Sequence, residues 1–228
     1  MINIKGKNAL ITGSSRGVGQ QIAIGLAQKG CNVIVHCRTK NGCARTIQML
    51  KKYSVSVYSV FGDLSDEVSV HQVISQCNAL NVDIDILYNN AGMMVPYQNN
   101  IWQHSWESWM TSMKTNVFSI YTLCAAFVPK MEERGFGRVV NLISGINKTP
   151  ELAPYGASKW AVLKLTEDLA FKYAGTNVKI NSLDPGWLRT DMGSQDAPNP
   201  VEATLPGALA PALLEEDGVS GVAFEALK

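Results

Sequence analysis

A glycine-rich turn directly after the first apolar run is the feature that most restricts how this chain can fold. The apolar run at 9–11 stops at Thr-Gly-Ser-Ser-Arg-Gly-Val-Gly, residues 12–19, and apolar residues then recur at helical spacing. A strand, a glycine turn and a helix in this order can bind a dinucleotide. The helix N-terminus offers N–H groups and a positive dipole end to the diphosphate.

The three glycines of this turn have separate expected tasks. Gly13 can adopt the positive φ of a tight turn, Gly17 lets the backbone approach a diphosphate, and Gly19 lets the helix pack close to the strand. Their spacing is G-x-x-x-G-x-G, which differs from the generic G-x-G-x-x-G fingerprint. The turn alone therefore leaves open that no nucleotide binds here.

The end of the second predicted strand, residues 32–36, indicates which cofactor is preferred. An acidic residue at this position would hydrogen-bond the adenosine ribose, and none is present. Arg38 stands there instead, with Thr39 and Lys40 beside it, and Arg16 in the first turn adds a second cation. Guanidinium groups form charge-assisted bonds to a 2′-phosphate, so NADP(H) is favoured over NAD(H). A solvated basic turn is the alternative.

The rest of the chain repeats the alternation of strand and helix. Further strands are predicted at 55–61, 84–88, 139–143, 178–183 and 221–224, with helical segments between them and a short helix near 201–215. The pattern predicts an α/β fold: a single-domain doubly wound parallel sheet (Rossmann fold) with helices on both faces. A chain of 228 residues suits one such domain, so we assign 1–228 to it.

Composition restricts the partners. The chain has 20 Lys plus Arg against 19 Asp plus Glu, a net charge of +1, so no overall field attracts it to nucleic acid or an anionic membrane. Its five cysteines form no C-x-x-C pair and its three histidines are scattered, which suits free thiols and gives no support to a metal site. With no signal peptide or membrane span in the sequence, a soluble cytoplasmic protein with a small-molecule partner is expected.

The spacing of Tyr155 and Lys159 suggests proton transfer. Residues four apart on a helix lie on one face, and a nearby ammonium can stabilise a phenolate, whose reference pKa is near 10. Ser144, at the end of the preceding strand, could hold a substrate oxygen beside the phenol. An isolated pair of this kind is more often an ordinary surface pair.

Polar residues at other strand ends add to this site. Asp63 could contact the adenine amino group or cap the helix that begins near Asp66. Small and amide residues at 89–92 would let the cofactor lie across the strand ends, and Thr190 could reach a nicotinamide carboxamide. Asn116, inside a helical region that runs to about residue 133, could open a bend and hold a water.

Aromatic and sulfur side chains near residue 100 offer two interpretations. Residues 93–104 are a plausible wall for an apolar substrate. Trp102, Trp106 and Trp109 lie at helical spacing, which favours a core or packing stripe.

Together these motifs resemble the short-chain dehydrogenase/reductase family. The matching pieces are Thr12-Gly13-x-x-x-Gly17-x-Gly19, Asp63, Asn89-Asn90-Ala91-Gly92, Asn116, Ser144, Tyr155-x-x-x-Lys159 and Asn181-x-x-x-Pro185-Gly186. They follow the family's order over residues 7–192, and their joint occurrence makes the surface-pair alternative remote. Residues 184–193 look more like the carbonyl-reductase-like members than like the 3-oxoacyl-carrier-protein reductases. The segment 190–216 is a shortened substrate-loop region in this comparison.

The resemblance implies a role for each matching residue. Tyr155 would be the general acid in carbonyl reduction and Ser144 would orient the carbonyl, while Asn116 would anchor a water of the proton relay. Lys159 would hold the nicotinamide ribose and lower the pKa of Tyr155. The implied cofactor contacts are Gly13, Ser15, Arg16, Gly17, Val18, Gly19, Arg38, Thr39, Asp63, Leu64, Asn90, Ala91, Gly92, Tyr155, Lys159, Pro185, Gly186, Leu188 and Thr190. The implied substrate contacts are Ser144, Met94, Tyr155 and Trp187.

The leading prediction is therefore an NADPH-dependent reductase of a ketone or aldehyde. A 3-oxoacyl-carrier-protein-type reductase remains an alternative, as does an NADP-binding sensor or interaction protein without turnover. A sugar-nucleotide epimerase or dehydratase would need a larger substrate domain than the residues after Thr190 can build. Assembly as a homodimer or homotetramer is left open.

Overall fold

A seven-stranded parallel sheet forms the centre of the structure, a computed structural model that describes residues 1–228. Its strands are β1 (Asn8–Ile11), β2 (Asn32–Cys37), β3 (Val57–Phe61), β4 (Ile86–Asn89), β5 (Gly137–Leu142), β6 (Val178–Asp184) and β9 (Ala223–Glu225). Between β6 and β9 in the chain, β7 (Leu188–Arg189) and β8 (Asn199–Pro200) form a separate two-stranded ribbon. The order in the main sheet is β3-β2-β1-β4-β5-β6-β9, so the chain runs outward from β1 in both directions. This confirms the predicted doubly wound fold.

Six α-helices cover the sheet. They are α1 (Gly17–Gln28), α2 (Ala44–Leu50), α3 (Glu67–Ala79), α4 (Trp106–Met113), α5 (Ser119–Glu133) and α6 (Ala153–Lys172). A hydrophobic core lies on each face of the sheet, and the side chains of successive strand residues pack into the two cores alternately. Ile11 and Val35 pack with α1, whereas Leu10 and Ile34 pack with α3, α5 and α6. Burial on both faces explains why the strands read as continuous apolar runs. No helix of the chain combines the length and the apolar character that crossing a membrane requires.

The crevice of the fold lies between the neighbouring strands β1 and β4, where the order of the strands in the sheet reverses direction. After β1 the chain builds β2 and β3 on one side, and it then returns to place β4 on the other side of β1. The loops that leave β1 and β4 therefore diverge to opposite sides of the sheet. In doubly wound sheets ligands bind outside the carboxyl ends of the strands at such a switch point.

Two helical regions bear on the sequence-based expectation. Helix α6 begins at Ala153, so Tyr155 and Lys159 both lie inside it, as their spacing predicts. The single short helix expected near 201–215 is instead two 3₁₀ helices, Val201–Thr204 and Gly207–Leu213. Pro206 separates them, and a proline has no N–H with which to continue a helix.

The predicted tryptophan core stripe is wrong. The side chains of Trp102, Trp106 and Trp109 are 87%, 79% and 37% exposed. Helix α4 packs through its other face, where Ser112 is fully buried. Helical spacing shows which residues share a face, but it does not show which face a neighbouring element covers.

Candidate active site

A cleft of about 900 Å³ runs along the carboxyl ends of the strands. It is lined by most of the predicted cofactor residues, namely Gly13, Ser15, Arg16, Gly17, Val18, Gly19, Arg38, Thr39, Asp63, Leu64, Asn90, Ala91, Gly92, Tyr155, Lys159, Pro185 and Thr190. Gly186 and Leu188 are predicted cofactor residues that do not line the cleft. The N–H of Gly186 donates to Asp184 Oδ1 at 2.9 Å, and Leu188 is buried.

The glycine turn needs glycine for its backbone conformation and for its close packing against the end of β4, and it leaves the N-terminus of α1 open. Gly13 and Gly17 have φ values of +63° and +61°, in the region that favours glycine. A Cβ on Gly13 would lie 2.9 Å from Ala91 Cα, and one on Gly19 would lie 2.4 Å from Asn90 Nδ2. No side chain caps the N-terminus of α1, so its first N–H groups are free to donate hydrogen bonds to an anion. The turn therefore suits a diphosphate.

Thr12 joins the glycine turn to the end of β4. Its Oγ1 accepts hydrogen bonds from the N–H groups of Asn90 and Ala91, both at 2.9 Å. In return, Asn90 Nδ2 donates to the carbonyls of Thr12 at 2.8 Å and Gly13 at 3.1 Å. Asn90 and Thr12 thus fix the loop after β4 and the loop after β1 to each other on the two sides of the crevice.

His36 is a part of the site that the sequence analysis did not identify. It is 2% exposed, and its Nδ1 accepts from the N–H of Gly13 at 3.1 Å while its Nε2 contacts the carbonyl of Gly62 at 3.0 Å. These partners require a neutral ring with its proton on Nε2. Burial lowers the pKa of His36 to about 4, so the ring stays neutral at neutral pH. The available signal was a polar residue within an otherwise apolar strand.

The adenosine end of the cleft contains Arg38 and Asp63. Burial alone would raise the pKa of Asp63, but hydrogen bonds from Ser65 and the charge of Arg38 bring it below its usual value. Asp63 accepts from both the N–H and the hydroxyl of Ser65, at 2.9 and 2.8 Å. The cap of α3 is Asp66, which accepts from the Ser69 N–H at 2.9 Å. Of the two roles considered for Asp63, the structure excludes capping.

Tyr155 and Lys159 are not a surface pair. They are 7% and 5% exposed and lie one turn apart on α6. Lys159 Nζ donates to the carbonyl of Leu142 at 2.8 Å and lies 5.8 Å from the centre of the Tyr155 ring. The bond to Leu142 fixes the ammonium against the end of β5, at the base of the cleft.

The pKa values of this pair differ from the expectation. Burial raises the pKa of Tyr155, and Asp184 adds to this effect, while a hydrogen bond with Ser144 opposes it. Lys159 was expected to lower that pKa, but its Nζ bonds to the Leu142 carbonyl and not to the phenol. Burial lowers the pKa of Lys159 itself to about 8, against the opposing charge of Asp184. At neutral pH the phenol is therefore protonated and the ammonium largely charged.

Asn116 lies in the bend that the sequence predicted. A π-helical turn, Lys114–Phe118, separates α4 from α5, and Asn116 within it is fully buried. Its Oδ1 accepts from the Met93 N–H at 2.8 Å, and its Nδ2 donates to the Met93 carbonyl and to Ser158 Oγ, both at 2.9 Å. A Cβ on Gly92 would lie 3.3 Å from Asn116 Oδ1 and 3.4 Å from Lys159 Nζ. The two side chains therefore converge on Gly92.

The predicted substrate residues other than Tyr155 lie outside the lining of the cofactor cleft. Ser144 is half-buried, accepts a hydrogen bond from the Ile146 N–H at 3.3 Å, and acts to lower the pKa of Tyr155. Trp187 is 59% exposed and its indole N–H donates to the Gly193 carbonyl at 2.7 Å, while Met94 is half-buried in the segment after Gly92. Neither Ser144, Met94 nor Trp187 lines the cofactor cleft. Asp184, which affects the pKa of both Tyr155 and Lys159, was not predicted as a site residue.

Comparisons with known proteins agree with this geometry. Residues 7–200 match the family model described as short chain dehydrogenase. The chain is 33% identical over 190 residues to dehydrogenase/reductase SDR family member 4 of Sus scrofa, covering 82% of this chain and 68% of that protein. Among solved structures, a 3-oxoacyl (acyl-carrier-protein) reductase from Agrobacterium tumefaciens with NADP bound superimposes with a TM-score of 0.87, at 26% identity over 98% of this chain and 93% of that one.

A second solved structure shows how varied such similar proteins are. It is a gluconate 5-dehydrogenase from Burkholderia cenocepacia in complex with NADP and tartrate. It superimposes with a TM-score of 0.85 at 26% identity, covering 98% of this chain and 94% of that one.

Proposed function

Because this chain belongs to the short-chain dehydrogenase family, an NAD(P)-dependent oxidoreductase family, we propose that it uses NADPH to reduce a ketone or aldehyde to an alcohol. The observation that carries the proposal is the burial of Tyr155 and Lys159 on one face of α6, at the base of a cleft that begins at the glycine turn. That placement brings a proton donor to the place where a nicotinamide ring would end.

The cleft residues suit the cofactor along its length. The uncapped N-terminus of α1 would hold the diphosphate, Arg38 and Asp63 the adenosine, and Lys159 the nicotinamide ribose. When bound, the cofactor supplies a hydride to the carbonyl carbon. We further propose that Pro185 and Thr190 contact the nicotinamide end, since both line the cleft.

Tyr155 acts in this scheme as the general acid. Reduction of a carbonyl places negative charge on its oxygen, and a phenol within hydrogen-bonding distance can protonate that oxygen. The phenol of Tyr155, whose ordinary pKa near 10 is raised by burial, is protonated at neutral pH and can therefore serve as the acid in reduction. Ser144, within hydrogen-bonding range of the phenol, would hold the same substrate oxygen.

Lys159 and Asn116 would return the proton to Tyr155. Their side chains meet at Gly92, and Asn116 holds the backbone of Met93 through two hydrogen bonds. Both N–H donors of the Asn116 amide are used within the protein, so a water that connects Lys159 to solvent would be held by the remaining lone pair of Asn116 Oδ1. In this proposal Lys159 also positions the ribose, so its replacement affects binding as well as proton transfer.

The preference for NADP(H) over NAD(H) is part of the proposal. It is supported by the absence of an acidic residue at the end of β2, by Arg38 and Arg16 in the cleft, and by the NADP in the two similar solved structures. The partner is a small carbonyl compound. We also propose that 1–228 act as one domain with 190–216 as a short substrate loop, and a sizing measurement would distinguish a monomer from a homodimer or homotetramer.

Oxidation of NADPH with a panel of ketones, aldehydes and a 3-oxoacyl thioester tests the proposed activity. Turnover of simple carbonyl compounds is expected. Selective turnover of the thioester would support the alternative 3-oxoacyl-carrier-protein-type reductase, the activity of a similar solved protein. Tight NADPH binding without any turnover would instead favour a non-catalytic NADP-binding sensor or interaction protein.

A further inference from the structure

We propose that Asp184 selects the substrate class: its carboxylate favours ketones that carry a hydroxyl or ammonium group next to the carbonyl and disfavours 2-oxo acids. This inference rests on the proposed function, since it concerns the same site. It adds a residue that the sequence analysis did not place there.

Asp184 is held beside the residues that would bind the carbonyl. It ends β6, which pairs with β5 so that Leu183 lies opposite Leu142. The pairing continues one step further, where the Ile143 N–H donates to the Leu183 carbonyl at 2.9 Å. Asp184 therefore lies next to the segment that begins with Ser144.

Gly145 provides the space that the carboxylate occupies. A Cβ on Gly145 would lie 2.5 Å from Asp184 Oδ2, so any larger residue there would displace the carboxylate. The other oxygen, Oδ1, accepts from the Gly186 N–H at 2.9 Å and fixes the side chain. The carboxylate thus lies over Gly145, one residue beyond Ser144.

No cation of the chain neutralises this carboxylate by direct contact. None of its ion pairs includes Asp184. The ionisable groups that face it are Tyr155 and Lys159 from α6, on both of which its charge acts, and Glu225, its register partner on β9. Glu225 is exposed and paired with Lys228. Asp184 therefore presents, beside Tyr155, a carboxylate that no direct ion pair neutralises.

This charge acts on the group attached to the substrate carbonyl. With the carbonyl oxygen between Ser144 and Tyr155, one substituent of the carbonyl carbon extends along Gly145 toward Asp184. A carboxylate there meets a like charge in a partly buried site, which is unfavourable. A hydroxyl or an ammonium group can instead donate a hydrogen bond to the carboxylate.

Three phenyl ketones that differ only in this substituent test the inference. They are 2-amino-1-phenylethanone, 2-hydroxy-1-phenylethanone and 2-oxo-2-phenylacetate. Their dissociation constants are measured by calorimetry with the NADP⁺-loaded protein, in which no reduction occurs, and their turnover is measured separately with NADPH. For the wild-type protein, the amino and hydroxy ketones are expected to bind at least about tenfold more tightly than the oxo acid.

Removal of the charge should abolish this discrimination. In Asp184→Asn the preference for the amino ketone over the oxo acid is expected to fall about tenfold, in Kd and in kcat/KM alike. Gly145→Ala, which displaces the carboxylate without removing it, should have the same direction of effect and serves if Asp184→Asn does not fold. Glu225→Gln is the matched control and should leave the preference unchanged.

The outcomes separate this inference from the proposed function. Unchanged Kd ratios in both Asp184→Asn and Gly145→Ala would overturn the role of Asp184, whatever the turnover. A changed Kd ratio without turnover of any carbonyl would support the role of Asp184 in binding and overturn the proposed reduction.

Discussion

The guanidinium of Arg16 and the carboxylate of Asp191 form an ion pair across the cleft, with Arg16 Nε 2.8 Å from Asp191 Oδ2. Arg16 immediately precedes α1 and Asp191 follows Thr190, so the pair joins the glycine turn to the segment after β7. Both side chains are about 70% exposed, and exposed pairs contribute only about 0–1 kcal/mol. Arg16 can therefore exchange this partner for a phosphate at little cost.

Removal of the competing carboxylate should strengthen NADPH binding. In Asp191→Asn, Arg16 has no anionic partner within the protein, and the Kd for NADPH is expected to fall about three- to tenfold. Fluorescence titration with NADPH and NADH measures the effect. NADH lacks the 2′-phosphate, so its Kd should change by less than about twofold. An equal change for both cofactors would show that Arg16 does not contact that phosphate.

Arg38 should carry the larger part of the cofactor preference. Hydrogen bonds to charged groups contribute about 1.5–3 kcal/mol, so Arg38→Ala is expected to raise the Kd for NADPH at least about tenfold with little change for NADH. Lys40→Ala is the matched control, because Lys40 is equally exposed in the same turn but does not line the cleft. If NADPH affinity survives in Arg38→Ala, or if NADH binds more tightly than NADPH to the wild type, the assigned preference is wrong.

The alternation of strands and helices along the chain and much of the cleft could be predicted because both depend on local patterns. Apolar runs ending in glycine, asparagine or proline indicate where parallel strands stop, and those ends meet at one edge of a doubly wound sheet. Tyr155 and Lys159 depend on one helical turn, which is also local. The sequence therefore placed the glycine turn, Asn90 and Lys159 in one cleft without any knowledge of distances.

The rest depends on contacts between distant segments. His36 matters because Gly13 and Gly62 approach it from two other loops, and Asp184 matters because Gly145 leaves room beside it. No spacing in the sequence encodes either approach. The pKa of Tyr155 rose for the same reason: it reflects how deeply α6 is buried, which the pair spacing alone does not reveal.

Loss of the phenol should separate chemistry from binding. Tyr155→Phe keeps the ring but removes the proton donor, and the turnover number for carbonyl reduction is expected to fall at least about 100-fold. The Kd for NADPH should stay within about twofold, since the ring and the bond from Lys159 to the Leu142 carbonyl both remain. Tyr121→Phe, on the exposed side of α5, is the control and should retain full activity. A Tyr155→Phe protein with most of its rate would show that another group protonates the alkoxide.

The buried ring of His36 makes stability depend on pH. Its pKa is lowered from 6.5 to about 4 because the charged form is desolvated and would lose the Gly13 bond. Between these values the unfolded chain binds more protons than the folded protein, so the free energy of unfolding rises with pH. The stabilisation is complete above about pH 6.5 and is lost as the pH falls toward 4. It amounts to about 3 kcal/mol.

Urea unfolding at pH 7.5, 6.0 and 5.0 measures this dependence. We expect His36→Asn, whose side-chain oxygen can still accept from the Gly13 N–H, to be less stable than the wild type at pH 7.5 because the bond to Gly62 is lost. The difference should narrow by about 2 kcal/mol at pH 5.0, because asparagine does not titrate. His71→Gln, at an exposed position of α3, should keep the wild-type slope. Parallel curves for the wild type and His36→Asn would show that another group sets the acid sensitivity of the fold.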